Sequence, residues 1–218
     1  MNKENYHKYV FDEQNRGFIG EFDQMYKAEK TESFDSWHQD DVNILDKQLC
    51  LQIIEQSNFH TIVDIGCGKG ALTHLMKTKD NSVFGLDLSQ EAVSIATKRY
   101  KDIQFFMIDI KDSNWTNILN QNLHNTDNEG GESRVDCIVC LETLSYAENW
   151  TRLIKDFSAL GKFALIKLFI PDDPIGCVKS GDELVSEFNI HYNIIEHINF
   201  ISRGIIILFG KSKLIGEV

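Results

Sequence analysis

One stretch limits this chain more than any other: Val63-Asp64-Ile65-Gly66-Cys67-Gly68-Lys69-Gly70. Ile62, Val63 and Ile65 have the apolar character of a buried parallel strand near its end. Glycine then takes every second position, and Ala71-Leu72-Thr73-His74-Leu75-Met76 has helix-forming composition. The order is strand, tight glycine turn, helix. Glycine belongs where the backbone needs positive φ or where a ligand must approach it closely. At the carboxyl edge of a parallel strand, such a turn is a nucleotide-binding position. Many cofactors use it, so other residues must say which.

At 218 residues the chain suits one well-filled α/β domain and is short for two. Its formal net charge of -11 argues against a nucleic-acid backbone or an anionic membrane surface as partner. No apolar run reaches the roughly 18 residues of a membrane span. The start, Met1-Asn2-Lys3-Glu4-Asn5-Tyr6-His7, lacks the apolar centre of a signal peptide. The five cysteines, at 50, 67, 137, 140 and 177, are odd in number and scattered, so reduced cytoplasmic thiols are expected. Cys137 and Cys140 spell C-x-x-C inside an apolar run. Positions three apart on a strand point to opposite faces, so core thiols are expected there and no metal site.

Apolar spacing organises the rest. Residues 1–17 are polar, with Tyr6, Tyr9 and Phe11 interspersed. Phe18, Ile19, Phe22, Met25 and Tyr26 predict a helix over 18–30. Asp41 is placed to cap a helix to about residue 56, with Ile44, Leu45, Leu49, Ile53 and Ile54 inward. Residues 1–58 therefore read as a helical cap or lid, and 59–218 as the main fold. There, strands at 61–65, 83–88, 103–108, 135–140 and 162–170 alternate with helices at 69–78, 90–99, 115–123 and 150–160. Ser89 is a plausible N-cap, and the polar run 125–133 is a surface loop. After Pro171-Asp172-Asp173-Pro174, a short helix at 182–188 precedes apolar runs at 192–201 and 204–209. Ser202 and Arg203 alone separate those runs, which is a hairpin connection. The expectation is an α/β, Rossmann-like fold: a seven-stranded, mostly parallel sheet with a C-terminal antiparallel hairpin and helices on both faces.

Three features narrow the cofactor. The spacing is G-x-G-x-G, not the G-x-G-x-x-G of dinucleotide sites. Asp64 precedes the first glycine, where a carboxylate repels a pyrophosphate and attracts an ammonium or sulfonium. Asp87 ends the second strand some 20 residues past the glycines, the position that hydrogen-bonds ribose hydroxyls.

Val63-Asp64-Ile65-Gly66-Cys67-Gly68-Lys69-Gly70 resembles the first motif of class I S-adenosylmethionine-dependent methyltransferases. Asp87 matches that family's ribose-binding acid, with Leu88 beside it. Phe105-Phe106-Met107-Ile108-Asp109-Ile110 is similar to its third-strand motif, where an acid takes the adenine amino group. Residues 135–146, containing Leu141, Glu142 and Tyr146, resemble the fourth-strand motif beside the methyl. The resemblance covers about residues 60 to 210 and implies S-adenosylmethionine as donor, S-adenosylhomocysteine as product and a small-molecule acceptor. It assigns Asp64, Gly66, Cys67, Gly68, Asp87, Leu88, Asp109, Ile110 and Leu141 to the donor; Cys67 fills a small-residue slot and is expected to pack.

Methyl transfer requires alignment and exclusion of water more than catalytic groups. Glu142 is a candidate base or amine anchor, Tyr146 faces the same region, and His38 is a second candidate base. Trp37 is a candidate lid wall over the donor. Lys167 and Arg203 are candidates for an acidic acceptor group. The N-terminal pattern Tyr6…Tyr9, Phe22…Tyr26 and Phe34-Asp35-Ser36-Trp37-His38 resembles bacterial sugar and nodulation-factor methyltransferases. More narrowly, it resembles capsular polysaccharide methyltransferases linked to the O-methyl phosphoramidate decoration. The competing readings are an N-methyltransferase for an amino sugar or small amine, a nicotinamide-dependent reductase, and a non-catalytic donor binder. No N-P-P-Y-type tetrad follows the fourth strand, which opposes nucleic-acid or protein methylation. A monomer or homodimer in the cytoplasm is expected.

Overall fold

The computed structural model describes residues 6–12, 14–124 and 135–214. The expected loop at 125–133 lies outside the described residues. The main fold runs β1 (Thr61–Ile65), α4 (Ala71–Leu75), β2 (Ser82–Asp87), α5 (Gln90–Arg99), β3 (Gln104–Met107) and α6 (Trp115–His124). It continues with β4 (Val135–Leu141), α7 (Trp150–Leu160), β5 (Gly161–Phe169), α8 (Gly181–His191), β6 (Tyr192–Phe200) and β7 (Ile205–Ser212). Three helices precede it: α1 (His7–Val10), α2 (Phe22–Glu32) and α3 (Leu45–Ser57).

The seven strands form one sheet in the order β3-β2-β1-β4-β5-β7-β6. Neighbours from β3 to β5 pair in parallel, and β7 runs antiparallel to both β5 and β6. The mostly parallel sheet with its terminal hairpin is thus as the sequence predicts. The apolar run at 192–201 stops at Phe200, however. A 3-10 turn over Ile201–Arg203 and a left-handed Gly204 (φ 63°) make the reversal.

Alternation along the strands divides the core. Val63, Ile65, Ile138, Cys140 and Ile166 pack with Trp115 and Leu119 of α6, Phe157 of α7 and Phe188 of α8. Ile62, Cys137, Val139 and Leu165 pack on the other face with Cys50 and Ile54 of α3. Cys137 and Cys140 are therefore buried in opposite layers, as their spacing implies. Helix α5 begins where expected, its N-cap Ser89 accepting the Ala92 N–H at 3.1 Å.

Two N-terminal expectations change. The helix expected over 18–30 starts at Phe22, because Phe18 bridges to Phe11 and the Ile19 N–H bonds Val10 O at 2.8 Å. Gly20 at φ 73° then turns the chain into α2. Helix α3 starts at Leu45, with Ile44 at its N-cap and no side-chain cap, so Asp41 does not cap it. Leu45 is exposed, and Asp46 points inward with Cys50 and Ile54.

A single cation fastens this region to the glycine turn. Lys69 is 2% exposed, and its Nζ lies 2.9 Å from Glu29, 2.8 Å from Asp35 and 2.9 Å from Asp40. Burial pulls its pKa down, but the three carboxylates outweigh that and leave it raised. Gln39 Oε1 also accepts the Lys69 N–H at 2.7 Å. Among the described residues no helix is long and apolar enough to cross a membrane.

Replacing Lys69 by Met leaves Glu29 buried without its cation. We expect a loss of about 3–5 kcal/mol in urea-induced unfolding, with faster proteolysis of the N-terminal segment. Adding Glu29→Gln should recover part of that loss. A Lys69→Met chain as stable as wild type would show that the clamp contributes nothing.

Candidate active site

The carboxyl ends of β1 to β5 and the N-terminal segment enclose a cavity of about 1200 Å³, counting its open mouth. The glycine turn forms its floor. Gly66 and Gly70 stand at φ 75° and 78°, in the left-handed region. The N–H groups of Gly66 and Cys67 both donate to Leu86 O, at 2.7 and 2.9 Å, which ties the turn to β2. A Cβ on Gly66 would lie 1.9 Å from Thr143 Oγ1, so no side chain fits there.

Two acids beside the turn differ from every other buried acid nearby. Asp64 accepts the Thr73 hydroxyl at 2.6 Å, and burial pushes its carboxyl up to about 7. Asp87 accepts the N–H groups of Gly68 and Ser89, each at 2.8 Å, and burial pushes it up to about 6. Neither has a cationic partner among the described residues. Buried Glu29 and Asp46, by contrast, each face a lysine. A ligand with hydroxyl donors at Asp87 and positive charge near Asp64 fits this pair, and S-adenosylmethionine has both. Asp109, Ile110 and Leu88 line the same cavity. Asp109 Oδ1 accepts the Lys111 N–H at 2.9 Å, and Arg152 donates to Ile110 O at 3.1 Å, which fixes the turn after β3.

The opposite wall comes from the end of β4, from β5 and from the N-terminal segment. Leu141, Glu142, Thr143 and Tyr146 line it, together with Phe18, Phe22, Trp37, Lys47 and Lys167. Glu142 has φ 64°, an uncommon value for a non-glycine residue. Its Oε1 lies 2.5 Å from Lys167 Nζ, and its Oε2 accepts the Phe169 N–H at 2.8 Å. Lys167 also meets Asp46 at 2.5 Å. Burial lowers its pKa, but Glu142 and Asp46 more than reverse that. Tyr146 accepts the Trp37 indole N–H at 2.7 Å. Burial holds its phenol well above the usual range, so it stays protonated.

The structure gathers most of the candidates. Asp64, Gly66, Cys67, Asp87, Leu88, Asp109, Ile110, Leu141, Glu142, Tyr146 and Trp37 all line the cavity. Gly68 is buried behind it, its N–H on Asp87 and the space beside it taken by Gln39. His38 is not brought in: it is exposed, outside the cavity lining, and contributes its carbonyl to Lys47. Arg203 is exposed in the turn before β7. Lys167 is buried, not a surface charge. Sequence reading missed Lys47, Gln39 and Asp46. A signal existed for Asp46, which shares the i, i+4, i+8 stripe of Cys50 and Ile54.

Residues 63–162 match the protein family described as a methyltransferase domain. The 235L protein of Invertebrate iridescent virus 6, which bears a provisional methyltransferase name, is 30% identical over 76 residues. That alignment spans 34% of this chain and 29% of the viral protein. Among solved structures, magnesium protoporphyrin IX methyltransferase from Synechocystis PCC 6803 with bound SAM has a TM-score of 0.58 at 16% identity, covering 96% of this chain and 89% of its own. N-methyltransferase NodS from Bradyrhizobium japonicum WM9, in complex with S-adenosylhomocysteine, has a TM-score of 0.62 at 13% identity, covering 88% and 98%. At these identities the likeness concerns the fold. Residues 63–162 thus match a methyltransferase-domain model, and the chain shares the Rossmann-like fold of these solved methyltransferases.

Proposed function

We propose that this chain transfers a methyl group from S-adenosylmethionine to a small-molecule acceptor held beneath the N-terminal segment. The observation that carries this reading is the pair Asp64 and Asp87, two desolvated carboxylates beside a glycine turn without counter-ions among the described residues. When bound there, S-adenosylmethionine supplies a methyl group on a positively charged sulfur, exchanging a carbon–sulfur bond for one to the acceptor. Asp87 would accept the ribose hydroxyls, Asp64 would face the cationic methionine end, and Asp109 with Ile110 would hold the adenine. Residues 1–58 act as a lid, in which Phe18, Phe22 and Trp37 exclude water from the reacting atoms.

The finer reading is O-methylation of an anionic group on a capsular polysaccharide precursor or decoration, such as a phosphoramidate. A neutral hydroxyl acceptor benefits from a general base. His38 lies outside the cavity, and both Glu142 oxygens are engaged by Lys167 and the Phe169 N–H. An oxygen that already carries negative charge needs no base. The N-terminal aromatic pattern that resembles capsular methyltransferases supplies cavity-lining residues, which supports the same choice. N-methylation of an amino sugar or phosphoethanolamine is the second reading. It is favoured by the Glu142 carboxylate on the wall and by the fold shared with NodS, an N-methyltransferase. Lys167 already neutralises that carboxylate, which weakens its attraction for an ammonium.

Asp87→Ala should weaken S-adenosylhomocysteine binding by about 1–3 kcal/mol, the scale of hydrogen bonds to a charged group. Calorimetry would measure it, and unchanged affinity would remove Asp87 from the ribose site. The raised carboxyls also set a pH dependence. With Asp87 at about 6 and Asp64 at about 7 in the free chain, acidification protonates both and removes the charge the ligand needs. Affinity should therefore fall by at least about tenfold between about pH 7 and pH 5, with protons released on binding near pH 6. Titrations in buffers of different ionisation enthalpy report that release; its absence would count against ionised acids in the complex.

A further inference from the structure

At the acceptor end of the cavity, three side chains carry hydrogen-bond donors. An ammonium has three donors. Lys47 Nζ donates to the main-chain oxygens of His38, at 2.5 Å, and Asp41, at 3.0 Å. Among the described residues its third donor has no partner, and no carboxylate lies within ion-pair distance. Lys167 Nζ lies between two carboxylates, 2.5 Å from Asp46 and 2.5 Å from Glu142, and itself lines the cavity. Tyr146 uses its oxygen to accept the Trp37 indole N–H, and its own hydrogen has no acceptor among the described residues.

All three line the cavity, Lys47 is close enough to Lys167 to feel its charge, and Glu142 is close to both Lys167 and Tyr146. Burial lowers the Lys47 pKa, and the nearby Lys167 charge lowers it further. Glu142, paired to Lys167, lies close enough to raise the Tyr146 phenol after the larger effect of burial. Donors that face the cavity and serve no described protein group are open to a ligand able to accept from all three. The carboxylate that shares this wall, Glu142, is held by Lys167 and the Phe169 N–H. Asp46, 2% exposed on α3, lies outside the cavity lining and acts as a positioning residue for the Lys167 ammonium.

We propose that Lys47, Lys167 and Tyr146 form an oxyanion subsite that binds the acceptor through an anionic oxygen group and so selects acidic acceptors. The proposal rests on the methyltransferase reading above and names the residues that would hold the anionic acceptor. Phosphate-like groups and carboxylates share the chemistry.

The test uses the full chain and calorimetric titration of inorganic phosphate, with and without saturating S-adenosylhomocysteine. Wild type should bind phosphate. Lys47→Met should weaken phosphate about tenfold or more, and Tyr146→Phe roughly three- to tenfold. Lys47→Arg keeps the charge and should stay within about threefold of wild type. Affinity of Lys47→Met for S-adenosylhomocysteine should stay within about twofold of wild type, which shows that the variant is folded. Acetate in place of phosphate separates the two sources: tighter phosphate marks a phosphate-like acceptor, tighter acetate a carboxylate. Equal phosphate affinity in wild type and Lys47→Met, or no anion binding to wild type, would overturn the subsite. Failure of wild type to bind S-adenosylhomocysteine would overturn the methyltransferase reading instead, and phosphate binding without it would still decide the subsite.

Discussion

A buried ammonium at the centre of the glycine turn holds the architecture together. Lys69 gives up hydration to face Glu29 of α2 and Asp35 and Asp40 of the segment that follows. The net stabilisation from such a cluster is small compared with the cost of breaking it, so its main effect is to fix one arrangement. That arrangement sets Trp37 and Gln39, which lie between Asp35 and Asp40, at the cavity. Gln39 in turn accepts the Lys69 N–H, donates to the Tyr26 hydroxyl at 2.9 Å, and occupies the space a side chain at residue 68 would need. The turn and the N-terminal segment thus define each other's position. Asp23 adds a second tie, accepting from the Ser89 hydroxyl at 2.5 Å and the Glu91 N–H at 3.0 Å beside Asp87.

Acids in this chain separate by what surrounds them. Glu29 and Asp46 are buried and paired with lysines, which is how a folded chain tolerates a desolvated charge. Asp64 and Asp87 have hydroxyl and main-chain donors but, among the described residues, no counter-ion, and their carboxyls rise accordingly. Two such groups side by side store unfavourable electrostatics that a cationic ligand relieves. Near Lys47 the imbalance has the opposite sign, with a cation held by carbonyls and, among the described residues, no acid within ion-pair distance. The cavity is therefore lined both by acids without a described cation and by a lysine without a described acid.

The sheet was legible because its strands are long apolar runs between well-marked helices, and burial on both faces makes such runs unmistakable. β1, α5 and α7 match their expected bounds. The N-terminal segment was harder, since Phe18 and Ile19 fit a helical stripe that pairing with Val10 and Phe11 overrides. Local spacing does not record that competition. The acids Asp64, Asp87 and Asp109 were placed around one cavity for the same reason as the sheet: they sit at strand ends, where topology puts them. The acceptor half depends on which helix face α3 turns inward and on left-handed residues such as Trp37 and His38, both at φ 51°. His38 looked like a base by residue type, and the backbone sends its side chain outward.

Glu142 shows why catalytic groups resist sequence reading in this site. Its left-handed backbone costs about 1 kcal/mol or more for a residue with a Cβ. Three contacts offset that: its N–H donates to Lys167 O at 2.8 Å, and its carboxylate takes the Phe169 N–H and the Lys167 ammonium. The bend carries the chain off β4 so that Thr143 closes over Gly66 and Tyr146 reaches Trp37. Donor floor and acceptor wall are then in direct contact through Thr143, with no flexible side chain between them. Backbone geometry thus fixes the cavity, and the side chains around it supply charge and apolar surface. In-line transfer from an activated donor asks for little more than that. The Glu142 carboxylate holds a lysine and a bend.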